Sequence, residues 1–165
     1  MIIRGVKRSD AGNLANLIKQ VDDSSEYMLW EADERSIQAK SQLNMMESME
    51  ASENSTILVA EKNQDLVGYL FAIGGSARRN RHSVYIVIGI LQGYRGKGIG
   101  TKLFNELESW AKQRNVHRLE LTVVKKNEAG LSLYKKAGFE IEGTKRHSLL
   151  VDNGFVDEYY MAKLL

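Results

Sequence analysis

Neither cysteine nor proline occurs anywhere in this 165-residue chain. Without cysteine there can be no disulfides and no thiolate metal sites. The three histidines, His82, His117 and His147, are scattered and form no ligand cluster, so the residues call for no metal. Without proline, every turn keeps its backbone N–H donor. Long apolar runs are missing too: no stretch approaches the ~20 residues that span a bilayer. Met1-Ile2-Ile3-Arg4-Gly5 lacks the apolar length of a signal peptide, so the expected location is the cytoplasm, with no membrane partner. Charge of one sign is also scarce, at a net +2. A nucleic-acid partner therefore has little support, and the basic stretch Arg78-Arg79-Asn80-Arg81-His82, with no aromatic or motif beside it, reads as a solvated loop.

What remains is ordinary soluble composition, 43% hydrophobic and 27% charged, in a length that predicts one domain over residues 1–165 with a real core. The charge is uneven. Residues 22–53 hold nine acidic side chains against Arg35 and Lys40, a net of −7, which leaves +9 for the rest. That division suits a cationic acceptor and an anionic cofactor. A solvated acidic helix would produce the same count.

Periodicity and turn residues predict the order βααβββαβαββ. A strand at about Ile2–Val6 precedes a helix opened by Ser9-Asp10. A second helix is predicted from about Asp33 to Met49. Strands at Thr56–Glu61 and Leu66–Ile73 flank the turn Lys62-Asn63-Gln64-Asp65. The apolar run Val84–Leu91 reads as a central strand, with a bulge expected at Gly89. A helix to about Arg114, a strand at Arg118–Val124, a short helix after Asn127 and a hairpin turning at Asp152-Asn153-Gly154 complete the chain.

The most informative segment is Gln92-Gly93-Tyr94-Arg95-Gly96-Lys97-Gly98-Ile99-Gly100-Thr101. It joins the central strand to a helix whose apolar positions are Ile99, Leu103, Leu107, Trp110 and Ala111. A glycine-rich strand-to-helix turn aims several unpaired N–H groups at one point, at the positive end of a helix dipole. Arg95, Lys97 and Lys102 add positive charge. A phosphate-bearing ligand held by main chain is the expected occupant. The P-loop pattern fails, because Ile99 stands where lysine is required. The G-x-G-x-x-G pattern fails at Leu103. Downstream, Asn127 to Phe139 reads as a helix capped by Asn127 and stopped by Gly138, with Leu131, Tyr134 and Ala137 on one face.

Arg95-x-x-Gly98-x-Gly100 resembles the pyrophosphate loop of the GNAT superfamily of acetyl-CoA-dependent N-acetyltransferases. Asn127-x-x-Gly130-x-x-x-Tyr134-x-x-x-Gly138-Phe139 resembles that superfamily's second cofactor motif. The likeness spans residues 84–165, while residues 1–60 match only in layout. It implies an α+β fold, a three-layer α/β/α sandwich whose mixed, mostly antiparallel sheet splays at its centre. It implies acetyl transfer to a primary-amine acceptor, a small molecule or a peptide N-terminus, by direct attack. Acetyl-CoA would contact Ile90, Leu91, Arg95, Gly96, Lys97, Gly98, Ile99, Gly100, Thr101, Asn127 and Tyr134. The Ile90 N–H would polarise the thioester carbonyl, and Tyr134 would serve the departing thiolate.

The acceptor must attack as a neutral amine. At pH 7 that costs about 1 kcal/mol for an α-amine and roughly 4–5 kcal/mol for a lysine-like one. In this family the segment between the first two helices walls the acceptor site. Glu26, Tyr27 and Trp30 are the expected acceptor contacts, and Glu31 the expected base. A non-catalytic acyl-CoA-binding module, and an adaptor using the basic 78–82 loop, are the competing functions. A homodimer stays open.

Overall fold

The structure, a computed structural model, describes every residue from Met1 to Leu165. Strand β1 (Ile2–Gly5) passes through a 3₁₀ turn at Arg8–Asp10 into α1 (Ala11–Ser24), and an irregular loop leads to α2 (Ala39–Glu50). Three antiparallel strands follow, β2 (Thr56–Lys62), β3 (Asp65–Gly74) and β4 (Ser83–Ile90). The glycine loop then enters α3 (Ile99–Gln113), and β5 (Arg118–Val124), α4 (Glu128–Lys136), β6 (Glu140–Val151) and β7 (Gly154–Leu164) close the chain. The order is the one the sequence predicts. All seven strands form one sheet, β1-β2-β3-β4-β5-β7-β6, in which only β4 and β5 run parallel.

Alternation along the strands builds two cores, one on each face. Leu58, Ala60, Leu70 and Ala72 pack under Leu103, Phe104 and Leu107 of α3. Their neighbours Ile57, Val59, Tyr69 and Phe71 pack under Leu14, Leu17 and Val21 of α1 and Met46 of α2. Each fully buried leucine contributes about 1.5–3 kcal/mol. Helix α4 joins the first core through Leu131, Leu133 and Tyr134, giving the expected three layers.

Three expectations need correction. Ser9 and Asp10 do not cap α1. Asp10 instead accepts the Lys7 N–H at 2.7 Å and holds Arg4 Nη1 at 2.7 Å, and the same guanidinium reaches Glu61. Helix α2 begins at Ala39 rather than near Asp33, because Asp33 sits at φ 59 and residues 25–38 hold an irregular path. That path is fixed by Arg35, which bonds buried Asp22 at 2.9 Å and stacks over Trp30 at 5.2 Å.

The third correction concerns Gly89. No bulge occurs there, and the β3–β4 register runs unbroken from Gly74↔Val84 to Gly68↔Ile90. The sheet opens by a different route, because β4 pairs with β5 only over Ser83–Tyr85. Gly89 makes room for Tyr69, whose ring carbon Cζ would lie 2.5 Å from an added Cβ. Gly89→Ala should therefore cost about 1–3 kcal/mol through forced repacking. By contrast, Gly12→Ala, on the open face of α1, should gain up to ~1 kcal/mol. Urea midpoints of the two variants would show opposite shifts.

Candidate active site

Where β4 and β5 part, the backbone of β4 faces a gap. The Leu91 N–H donates to Val67 O at 3.0 Å, and the Gly75 N–H donates to Ser83 O at 3.0 Å. Antiparallel hydrogen bonding alternates, so Ile88 and Ile90 turn their peptide groups away from β3. Both lie beyond the last β4–β5 pair, Tyr85↔Glu120, and no strand meets them on that side. The Ile90 carbonyl is taken by Arg95 Nε at 3.1 Å, which ties the glycine loop to the strand end. The Ile90 N–H points into the gap.

A cleft of about 1080 Å³ runs through this gap from the glycine loop to the loop between α1 and α2. At its first end, Gly96 and Gly98 adopt φ 73 and 82, which turn the chain into α3. Side chains added at Gly93, Gly96 or Gly98 would meet nothing within 4 Å, so the loop forms an open cradle of main chain. The first intrahelical bond of α3 is Lys102 N–H to Gly98 O. The N–H groups of Ile99, Gly100 and Thr101 are therefore left for a ligand, at the positive helix end. This geometry fits a pyrophosphate.

Across the gap, Asn127 lines the cleft and caps α4 by accepting the Gly130 N–H at 3.0 Å, which leaves its side-chain NH₂ without a protein partner. Tyr134 sits edge-on to Phe104 at 5.8 Å, close to Phe139, and lines the cleft. Its hydroxyl makes no hydrogen bond within the protein. Burial pushes the phenol up to about 12, with Tyr85 adding to the shift. At neutral pH it is a firmly protonated hydrogen-bond donor. Full transfer of its proton to a thiolate of pKa ~8.5 is uphill by roughly 5 kcal/mol, so Tyr134 serves the thiolate as a hydrogen-bond donor.

The second end is walled by Tyr27, Met28, Trp30 and Arg35 on one side, and by Tyr85, Lys145, Ser148 and Glu158 on the other. Its floor includes Tyr69, whose phenol is pushed up by burial and by the nearby Asp22, with Arg35 opposing. Tyr85 Oη and Thr122 Oγ1, 2.9 Å apart, bridge β4 and β5 across the gap. Gln42 Oε1 and Ser148 Oγ are the two buried side-chain polar atoms without a partner, and both residues line this cleft.

Twelve of the residues expected from sequence meet in this one cleft: Ile90, Arg95, Gly96, Gly98, Ile99, Gly100, Thr101, Asn127, Tyr134, Glu26, Tyr27 and Trp30. Three do not. The Leu91 N–H is committed to Val67, and its side chain packs against both cores. Exposed Lys97 lies over the Tyr94 ring at 5.4 Å, outside the cleft walls. Glu31, the expected base, is exposed and lies outside the walls too, with its N–H donated to Glu34 Oε2 at 2.9 Å. Arg35, Tyr85, Ser148 and Glu158 are additions from the structure. They lie on a loop and on strands with no motif, so nothing in their local sequence marks them.

Residues 22–139 match the family model described as "Acetyltransferase (GNAT) family". The chain belongs to the GNAT acetyltransferase family. The L-amino acid N-acetyltransferase of Escherichia coli (strain K12) is 34% identical over 111 residues, 65% of this chain and 67% of that one. A GNAT-family acetyltransferase from Streptococcus pneumoniae superposes with a TM-score of 0.94 at 28% identity, covering 99% of this chain and 98% of that one. An acetyltransferase from Salmonella typhimurium, solved with acetyl-CoA as its cofactor, shares the fold with a TM-score of 0.89 at 19% identity, over 99% of this chain and 93% of that one. This GNAT protein is therefore an acetyl-CoA-dependent N-acetyltransferase acting on an amine. No helix in it is long and apolar enough to cross a membrane.

Two outcomes check the cofactor end. Gly98→Val places a branched side chain at a positive φ inside the cradle, and calorimetry should show acetyl-CoA binding weakened at least tenfold, about 1.4 kcal/mol. Unchanged affinity in a folded variant would remove the loop from the cofactor site. Tyr134→Phe keeps the ring packing and should lower kcat by about 10²-fold with little change in acceptor KM. Because the phenol titrates near 12, kcat in the wild type should show no fall from this group between pH 7 and about 10. An alkaline limb lost in Tyr134→Phe would show that the donor ionises earlier.

Proposed function

We propose that the protein moves the acetyl group of acetyl-CoA onto the amine of a small acceptor that also carries a carboxylate, as a free amino acid does. The observation that carries this reading is the presence of both charges in the cleft: Arg35 and Lys145 line it together with Glu26 and Glu158. A polyamine would meet two like charges there. An amphoteric acceptor can satisfy both signs at once, and the unpartnered Gln42 Oε1 and Ser148 Oγ offer it further hydrogen bonds. Arg35 keeps Nη1 free of protein partners while Nε and Nη2 hold Asp22.

The acidic stretch 22–53 supports this reading over a polycationic acceptor, because its charge is largely used elsewhere. Asp22 pairs with Arg35, Asp23 and Asp33 with Lys19, and Glu50 with Arg8. Glu26 alone of the segment's carboxylates lines the cleft. The Escherichia coli relative's name, an L-amino acid N-acetyltransferase, points the same way.

In this reading the loop N–H groups from Gly98 to Thr101 hold the pyrophosphate of acetyl-CoA. The Asn127 amide bonds the pantetheine arm, the Ile90 N–H stabilises the developing oxyanion, and Tyr134 donates a hydrogen bond to the leaving sulfur. We assign the whole reaction to one domain in the cytoplasm, where acetyl-CoA is supplied.

A panel of free L-amino acids, their amides, putrescine and a dipeptide tests the acceptor class. Conversion of the best amino acid to its amide should cost at least tenfold in kcat/KM. If putrescine or the dipeptide is fastest, or the amide matches the acid, the carboxylate is not read and the assignment fails.

A further inference from the structure

Glu158 lies on β7 at 8% exposure, directly opposite Val124 of β5 and Lys145 of β6, and it lines the cleft. Its carboxylate makes no hydrogen bond and no ion pair within the protein, although Lys145 stands across from it. The other buried carboxylates are all engaged: Asp10 holds Arg4, and Asp22 holds Arg35. Gln42 Oε1 and Ser148 Oγ are the only unpartnered polar side-chain atoms sealed from solvent, so the Glu158 oxygens, free of protein partners, stay open to a ligand in the cleft. Glu26, the other carboxylate on the cleft wall, is an exposed loop residue, whereas Glu158 is held in place by the strands on both sides of it.

Neighbours on the same face support an amine as the missing partner. Thr122 of β5 is tied to Tyr85 at 2.9 Å, and Glu120, two residues further along, is held by Arg118 at 2.9 Å. Lys125, beside Val124, is turned to Asp157. Of the charged and titratable groups lining the cleft, Lys145 of β6 stands directly across from Glu158, and Tyr85, Tyr134, Glu26 and Arg35 line the same cleft from β4, α4 and the loop after α1. Lys145 is exposed and unpaired, so a bound ammonium has no established salt bridge to displace.

We infer that Glu158 receives the acceptor's ammonium group and takes its first proton. This inference rests on the N-acetyltransferase reading and adds the base that Glu31 does not supply. The step balances as follows. An N–H proton passes to the Glu158 carboxylate, and the freed nitrogen lone pair forms the C–N bond to the thioester carbonyl while that carbonyl's π electrons move onto oxygen. Those electrons return as the C–S bond breaks and its pair leaves on sulfur. The nitrogen then loses a second proton, which balances the thiolate as CoA thiol, and Glu158 returns its proton to solvent. Tyr134, across the gap, is free to serve the sulfur alone.

Glu158→Gln keeps the side chain's shape and tests this directly. With the fastest acceptor of the panel above, whichever class it belongs to, kcat/KM at pH 7 should fall by about 10²-fold. The deficit should shrink as pH rises toward the acceptor's own pKa, because the free amine then no longer needs a base. Calorimetric affinity for acetyl-CoA and the melting temperature should stay close to wild type. Glu158→Asp should recover part of the rate and the wild-type shape of the pH profile. A Gln variant within threefold of wild type at pH 7, or one whose deficit does not change with pH, would overturn the inference. Using the fastest acceptor keeps this test separate from the amino-acid assignment, which the amide comparison decides.

Discussion

Beyond Tyr85 and Glu120 the central sheet gives up a row of backbone hydrogen bonds, and the rest of the molecule is arranged around that loss. A peptide group removed from water and left unpaired costs on the order of a full hydrogen bond. The Ile88 groups and the Ile90 N–H can stay unpaired only because a cleft opens where the next strand would be. The site is thus an interruption of the sheet, and its donors are ladder donors whose partner strand has moved away.

Several contacts hold the interruption open. On one face, Tyr69 lies against Gly89 so closely that no side chain fits there. On the other, Leu133 of α4 packs on Gly100 at the start of α3, where an added Cβ would lie 2.7 Å away. That packing sets α4, and with it Tyr134, beside the end of β4. Phe104 then holds the Tyr134 ring edge-on, with Phe139 tilted against it. The hydroxyl is carried into the gap by the same aromatic cluster that closes the core under α3, so donor position and core packing are one arrangement.

Much of this was legible in the sequence because it is local. The turns at Asn63-Gln64 and Asp152-Asn153 are built around Asn and Asp, which tolerate positive φ, and all four residues adopt it. The Asn127 cap and the glycine loop are read from neighbours a few positions apart. Residues 33–38 were not legible, since their path depends on Arg35 reaching back thirteen residues to Asp22 and on its stack over Trp30. An acid-rich stretch without glycine or proline reads as a helix when that ion pair is invisible. The role of Gly89 was misread for a similar reason. Its partner, Tyr69, lies on the neighbouring strand, and only the register brings the two together.

Glu158 marks the limit of such reading. Along β7 it occupies an unremarkable place in an alternating strand between Val156 and Tyr160, and a carboxylate in that pattern normally faces water. Its burial follows from tertiary geometry: β5 and β6 flank it, and the loop after α1 faces it across the cleft. The net charge of the acidic segment drew attention to Glu31 and its neighbours, yet ion pairs with Lys19, Arg35 and Arg8 hold much of that charge. A surplus of charge in sequence measures what a segment must solvate or pair. What a site can use is the charge left over after pairing, and at the acceptor end of this cleft that remainder includes the unpaired carboxylate of Glu158.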